Sequence, residues 1–256
     1  MKHSIEKMTD RICAVFGDYT PSIYLYGSVA LGDFRLGWSD IDILVLTQTP
    51  ISEKQAEELV NLRQKMLEEE PDNLYYRSFE GGMLTLSSFM NSRHDRVVYW
   101  GTSGQRIANS YHFDSFSMTE ILENGILLAG EDIRECLTPP TFEDLYRDVK
   151  QHYETIRKYA QQTGRNLYSF GWLLDIARCI YTLRTGKIAA KTFAGEWALK
   201  ENLCPVPKSL QMAVNLRYAA TSLKDDVELL DYAETLGGDV QIFADVLEYE
   251  LASLEK

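Results

Sequence analysis

Tyr24-Leu25-Tyr26-Gly27-Ser28-Val29-Ala30-Leu31-Gly32, then Ser39-Asp40-Ile41-Asp42-Ile43-Leu44-Val45-Leu46-Thr47, is the stretch that decides how this chain is read. An apolar run ends in a Gly-Ser turn, a glycine-punctuated segment follows, and a second apolar run carries two carboxylates. On a strand, residues i and i+2 share a face, so Asp40 and Asp42 are expected to project together while Ile41 and Ile43 face the other way. Two neighbouring carboxylates repel unless a cation neutralises them. Oxygen-only donors suit a hard ion such as Mg²⁺, which keeps waters and shares its shell with substrate phosphates. The Gly27-Ser28 turn offers backbone N–H groups and a hydroxyl, the donors that hold a phosphate oxygen. Ser39, which leads into the carboxylates, is grouped with them. Each piece alone has a bland explanation as a turn or a solvated strand face. Together, in one strand–turn–strand unit, they point to a site for a metal-bound nucleoside triphosphate.

The rest of the chain bounds that reading. Its 256 residues suit two modest domains, and an apolar share of 45% is enough for a core. No apolar run approaches the ~18–20 residues that span a bilayer, and the first residues lack the apolar core of a signal peptide. Cys13, Cys136, Cys179 and Cys204 are scattered, without the pairing that binds zinc or builds a disulfide framework. A reduced, cytoplasmic protein is expected. Lys and Arg number 26 against 38 Asp and Glu, a net charge of −12, which argues against a nucleic-acid surface. The same field would help to attract a cationic small molecule, although acidity serves solubility as well.

Periodicity then divides the chain. Apolar positions at Ile5, Met8, Ile12, Val15 and Phe16 have helical spacing. Strands are expected at Ile23–Tyr26 and Ile41–Thr47. Ser52 with Gln55 forms a capping box before a helix from Glu53 to about Glu69, which Pro71-Asp72-Asn73 breaks. Leu74–Glu80 reads as a third strand, with Gly81-Gly82 as a bend and Met83–Ser87 continuing the sheet. Residues 91–116, with His94, Trp100 and His112, read as a long loop or an irregular hairpin. Ser117-x-x-Glu120 reads as a second capping box, and Gly125–Ala129 as a strand. After Pro139-Pro140 strand signals disappear. Thr141 caps a helix to about Gln162, Asn166 starts another that ends near Gly186, and further helices are expected at 192–201, 208–222, 225–236 and 239–255. Short loops between them suit an antiparallel bundle. The fold class is α+β, a mixed-sheet domain over residues 1–138 followed by a helical bundle domain over 139–256.

The Gly-Ser, spacer, Asp-x-Asp arrangement resembles the signature of the nucleotidyltransferase superfamily. Tyr-Gly-Ser-Val-Ala-x-Gly with Ser-Asp-Ile-Asp-Ile-Leu-Val is similar to the antibiotic-modifying branch, which includes the spectinomycin/streptomycin adenylyltransferases. A second stretch, Asp175-Ile-Ala-Arg178-Cys-Ile-Tyr-Thr-Leu-Arg-Thr-Gly-Lys-Ile-Ala-Ala-Lys191-Thr-Phe-Ala-Gly-Glu-Trp-Ala-Leu199, resembles the helix–turn–helix of the C-terminal domain in the same branch. The resemblance implies attack of an acceptor hydroxyl on the α-phosphorus of ATP, transfer of AMP and release of pyrophosphate, in a cleft between the two domains. It also implies that Arg178 and Lys191 reach the triphosphate. The residues agree with that role: Arg178 interrupts an apolar helix and needs a partner, with Asp175 at i−3 as a purely structural alternative. Lys191 opens a helix, where its charge opposes the dipole unless an anion docks there.

Deprotonating the acceptor hydroxyl calls for a positioned carboxylate. The resemblance puts a third carboxylate on the strand beside Asp-x-Asp, which makes Glu80 the candidate general base, with Asp72 as rival and Gly81-Gly82 as a departure that loosens the register. Trp100, Tyr111 and Asp114 are weaker acceptor candidates; Trp172 and Trp197 read as core. Residues 161–172 lack the acidic side chains that streptomycin-modifying relatives use, so a spectinomycin-like aminocyclitol is favoured. The expected enzyme works with Mg²⁺ and ATP as a monomer or weak homodimer. The rival readings are a nucleotidyltransferase that modifies a protein, and a non-catalytic nucleotide sensor on the same fold.

Overall fold

A computed structural model describes residues 1–91, 96–101, 104–219 and 226–254. His94 lies outside the described residues, as do parts of the helices expected at 208–222, 225–236 and 239–255. The chain forms two compact units. One comprises Met1–Phe34 and Ser39–Pro139, the other Arg35–Trp38 and Pro140–Lys256. Arg35–Trp38 thus belongs with the helical unit although it lies within the sheet-forming sequence.

The first unit runs α1 (Lys2–Phe16), β1 (Ser22–Tyr26), the short turn α2 (Gly27–Ala30), β2 (Ile41–Thr47), α3 (Glu53–Glu69), β3 (Phe79–Thr85), α4 (Leu86–Asn91), β4 (Val97–Gly101), β5 (Gly104–Ala108), α5 (Ser115–Asn124) and β6 (Ile126–Ala129). The sheet order is β5-β4-β3-β2-β1-β6. β2 and β3 pair in parallel, with α3 as their crossover, and the other pairs are antiparallel. Alternation along the strands assigns the faces. Ile23, Leu25, Ile41, Ile43, Val45, Phe79, Met83, Val98 and Trp100 join Met8 and Ile12 of α1 and Leu59 and Met66 of α3 in one core. Tyr24, Tyr26, Leu44, Leu46, Leu84 and Val97 meet Ile121 of α5 in a second. Each such side chain fully buried contributes roughly 1.5–3 kcal/mol.

Local signals set several boundaries. Ser52 and Gln55 form the expected capping box, with the Ser52 hydroxyl accepting from the Gln55 amide at 3.3 Å and Gln55 Oε1 accepting from the Ser52 amide at 3.0 Å. Val97–Gly101 and Gly104–Ala108 pair as antiparallel strands. Three expectations are corrected. Leu74–Ser78 is a 3-10 turn rather than a strand, opened by Asn73, whose side chain accepts from the Tyr75 amide. β3 therefore starts at Phe79 and runs straight through Gly81-Gly82, so Glu80 stands near its beginning rather than its end. α5 is capped by Asp114, which accepts from the Ser117 amide, so the cap lies three residues before Ser117, and Glu120 is buried inside the helix.

Gly81-Gly82 is no bend, because close neighbours demand glycine there. Gly81 has φ +146°, and a Cβ on it would lie 1.8 Å from the Ile43 carbonyl oxygen; one on Gly82 would lie 2.5 Å from the Tyr111 ring.

In the second unit α6 (Phe142–Tyr159), α7 (Gly171–Thr185), α8 (Lys191–Lys200), α9 (Pro207–Ala219), α10 (Val227–Thr235) and α11 (Gly237–Leu254) pack around α7, which touches α6, α8, α9 and α11. Leu173, Leu174, Ile176, Ala177, Cys179, Ile180 and Leu183 of α7 are buried. Thr141 and Asp144 form the capping box of α6. Gly186 ends α7 in the left-handed conformation that a Cβ disfavours. Among the described residues no helix is long and apolar enough to cross a membrane.

Candidate functional site

The first unit gathers its carboxylates by strand register. Asp42 pairs with Tyr26 on β1 and with Glu80 on β3. Asp42, Leu44, Glu80, Gly82, Tyr26 and Tyr99 therefore share one face by alternation. Asp40 lies just before β2 rather than within it. The Gly27-Ser28 turn is built into the same spot. Gly27 has φ +65°, and a Cβ on it would lie 2.1 Å from Asp42 Oδ2, so both its conformation and the carboxylate against it require glycine. The Ser28 hydroxyl donates to the Asp40 carbonyl at 3.2 Å and ties the turn to the carboxylate segment. Ser39 adjoins it as the first residue after Arg35–Trp38.

Sequence reasoning missed two residues here. Tyr99 Oη donates to Glu80 Oε1 at 2.7 Å. Burial first, then this hydrogen bond and the Glu80 charge, push the Tyr99 phenol up to about 12, so it is a neutral donor at physiological pH. Burial also raises Tyr26 and Tyr111, with Asp42 adding to both shifts. The second is Arg63 of α3, only 9% exposed, which donates to the Phe79 carbonyl at 2.6 Å and the Gly101 carbonyl at 3.1 Å. Burial lowers its pKa against the opposing pull of Glu80 and Asp40, yet a guanidinium stays charged. A signal for Arg63 did exist: with Leu59, Leu62 and Met66 it falls on the buried stripe of α3.

Asp40 and Asp42 present only oxygen donors. Among the described residues no three or more His, Cys, Asp or Glu side chains gather closely enough to hold a metal ion. The donor set thus fits a hard divalent cation that completes its shell with substrate oxygens and water, and does not fit a fully protein-caged metal.

In the second unit Arg178, Asp175 and Lys191 come together. Asp175 Oδ1 lies 2.9 Å from Lys191 Nζ and 3.6 Å from Arg178 Nη2. Burial works to raise the Asp175 pKa, but Lys191 and Arg178 outweigh it and hold the carboxyl below its ordinary value. Lys191 is the first residue of α8, as its placement against the dipole required, and a carboxylate of the same unit stands beside it. Asp175 and Lys191 line a cavity of about 400 Å³ with Trp38, Tyr168, Trp172 and Asn166. Trp172 is accordingly not a core residue: it is half-buried and faces this cavity. Trp38 joins it because Arg35–Trp38 is fastened to the helical residues, with Tyr168 Oη donating to the Gly37 carbonyl at 2.9 Å and Arg35 Nε to the Arg217 carbonyl at 2.7 Å.

The weaker candidates resolve as packing. Trp100 is fully buried and donates to the Leu59 carbonyl. Tyr111 fills the space over Gly82, and Asp114 caps α5. Trp197, expected in the core, is half-buried and meets Tyr181 edge to face. Asp72 lies in the turn before the 3-10 segment, outside the strand that carries Glu80.

The strand–turn–strand unit with its Gly-Ser turn and carboxylates, together with a match of residues 5–91 to the nucleotidyltransferase domain family, defines the class: this is a nucleotidyltransferase. Residues 137–231 match the aminoglycoside adenylyltransferase C-terminal domain, and the chain belongs to the aminoglycoside adenylyltransferase-like nucleotidyltransferases. It is 24% identical over 195 residues to spectinomycin 9-adenylyltransferases of Staphylococcus aureus strains Mu50 and N315, covering 72% of this chain and 73% of those proteins. Its fold is similar to that in the crystal structure of spectinomycin adenyltransferase AAD(9) from Enterococcus faecialis with ATP and spectinomycin, with a TM-score of 0.66, 16% identity and coverage of 94% of this chain and 99% of that one.

Proposed function

We propose that this protein transfers AMP from ATP to a hydroxyl of an aminocyclitol antibiotic of the spectinomycin type and releases pyrophosphate. The observation that carries the reading is the pairing of Asp42 with Glu80 across neighbouring strands, on the face where the Gly27-Ser28 turn meets Asp42. The staphylococcal relatives, which are spectinomycin 9-adenylyltransferases, support the choice of acceptor. The net charge of −12 suits a cationic one.

In this reading Gly27, Ser28 and Ser39 hold triphosphate oxygens through backbone N–H groups and hydroxyls. Asp40 and Asp42 are the residues that would hold Mg²⁺. That ion, when bound, neutralises charge that builds up on the phosphates. Glu80 accepts the proton of the acceptor hydroxyl as its oxygen bonds to the α-phosphorus and the bond to the leaving pyrophosphate breaks. Arg178 and Lys191 supply the second unit's positive charge for the triphosphate, and the domains act as 1–138 and 139–256. The aromatic side chains and the Asp175 carboxylate of the helical cavity offer the apolar faces and hydrogen-bond acceptors that a sugar-like cation requires.

The test is pyrophosphate release from MgATP with a panel of aminocyclitols, run on the wild-type chain and on Glu80→Gln. Turnover with a panel member that Glu80→Gln lowers on the order of 10²–10⁴-fold, with MgATP affinity retained, supports the reading. ATP binding without turnover across the panel overturns it in favour of a sensor or a protein-modifying enzyme.

A further inference from the structure

We propose that Tyr99 is a positioning residue for Glu80: its hydroxyl engages one carboxylate oxygen and so aims the other at the acceptor hydroxyl. The proposal rests on the reading of Glu80 as general base. A glutamate on a strand has three rotatable side-chain torsions, and one near a carboxylate such as Asp42 is repelled from its neighbour. Left to itself it would spend much of its time in unproductive orientations, and proton transfer demands a defined heavy-atom approach.

The structure removes that freedom. Tyr99 donates to Oε1 at 2.7 Å, and Oε2 takes no hydrogen bond from any described residue. The hydroxyl is a reliable aiming point because the ring that carries it is fixed on several sides. Arg106, its ladder partner on β5, stacks its guanidinium 4.4 Å from the ring centroid. Tyr111 packs beside it with centroids 6.2 Å apart. Gly101 leaves the hollow that the ring occupies: a Cβ there would lie 2.4 Å from Tyr99 Cε1 and 2.6 Å from its hydroxyl. Gly82, the ladder partner of Tyr99 on β3, leaves the room that Tyr111 fills. Two glycines and two aromatic rings, spread over two strands and a loop, thus converge with Arg106 of β5 on the orientation of one carboxylate. A purely structural tyrosine would need none of them to aim its hydroxyl at Glu80.

The experiment is a double-mutant cycle in the full-length protein with Tyr99→Phe, Glu80→Gln and the pair, following single-turnover AMP transfer, MgATP affinity by calorimetry and thermal unfolding. Tyr99→Phe keeps the ring and its packing. It is expected to slow transfer about 10–100-fold, the scale of one hydrogen bond to a charged group, with MgATP affinity and unfolding temperature nearly unchanged. In the Glu80→Gln background the same change is expected to cost almost nothing more, because an amide no longer takes the proton wherever it points. Gly101→Ala, which pushes the ring without altering either reacting group, should reproduce the slowing and covers the case in which Tyr99→Phe fails to fold. Normal transfer in Tyr99→Phe, with transfer lost in Glu80→Gln, overturns the positioning role alone. A loss that persists undiminished in the Glu80→Gln background, or that follows MgATP affinity or unfolding, overturns it as well. Normal transfer in Glu80→Gln removes the base assignment and this proposal with it.

Discussion

The sheet unit and the helical unit prepare charge in opposite ways. In the first, Asp42 and Glu80 stand as like-charged ladder partners, held there by backbone register. In the second, two cations converge on one carboxylate, with Lys191 and Arg178 both facing Asp175. A strand can keep neighbouring negative charges in place because its hydrogen-bond ladder resists their repulsion. A helix face, which has no ladder to hold like charges side by side, is better served by compensating its charges before a ligand arrives. The difference predicts that charge removal in the sheet changes function, while charge removal in the helices changes stability first.

The largest effect expected is at Asp42. Asp42→Asn keeps the shape that packs against Gly27 but removes one charge, and AMP transfer should fall by at least two to three orders of magnitude, with circular dichroism and unfolding temperature retained. Transfer above about a tenth of wild type would break the contrast at its sheet end.

Asp175→Asn should act differently, removing the counter-charge between two cations in a shielded position and lowering stability by roughly 1–3 kcal/mol at neutral pH. The sign of its pH dependence follows from a carboxyl held below its ordinary value of 3.8. The stabilisation is present above that value and is lost as pH falls through the lower folded one. Unfolding midpoints of wild type and Asp175→Asn should therefore differ near pH 6 and converge below about pH 4. A gap that does not change with pH would show that Asp175 contributes through packing rather than charge.

At the small end, Ser52→Ala removes an N-cap that belongs to neither charge cluster. It should cost about 1 kcal/mol by denaturant titration and leave transfer unchanged. A change in transfer would mean that α3 reports to the site through its stability.

Much of this was legible because it is local. β2 at Ile41–Thr47 and α3 at Glu53–Glu69 lie where alternation and the Ser52–Gln55 box put them. The misreadings have two physical origins, one local and one distant in sequence. Tyr75 and Tyr76 have strand-like preference, but Asn73 satisfies the Tyr75 amide and closes a 3-10 turn instead. Gly81-Gly82 looked like a bend because glycines punctuate turns. Their reason is non-local, a carbonyl on β2 and a ring from a distant loop. Trp172 looked like core on an apolar helix, and the cavity it faces is completed by Trp38, far away in sequence. Tyr99 gave no sequence signal as a partner of Glu80, because only the register of β3 with β4 puts the two within reach.

The bonds of Arg63 carry a mechanical consequence. The β3–β4 ladder ends at the pair Gly81 and Trp100, and just beyond it the Phe79 and Gly101 carbonyls both accept from the Arg63 guanidinium. A rigid planar fork of fixed size therefore spans the place where the two strands part. Glu80 follows Phe79, and Tyr99 lies two residues before Gly101, so the spacing between the Glu80 carboxylate and the Tyr99 hydroxyl is tied to the width of a guanidinium. The span works like a keystone: a part placed behind the sheet sets the opening at its front, and a shorter or more pliable cation in its place would let that opening drift.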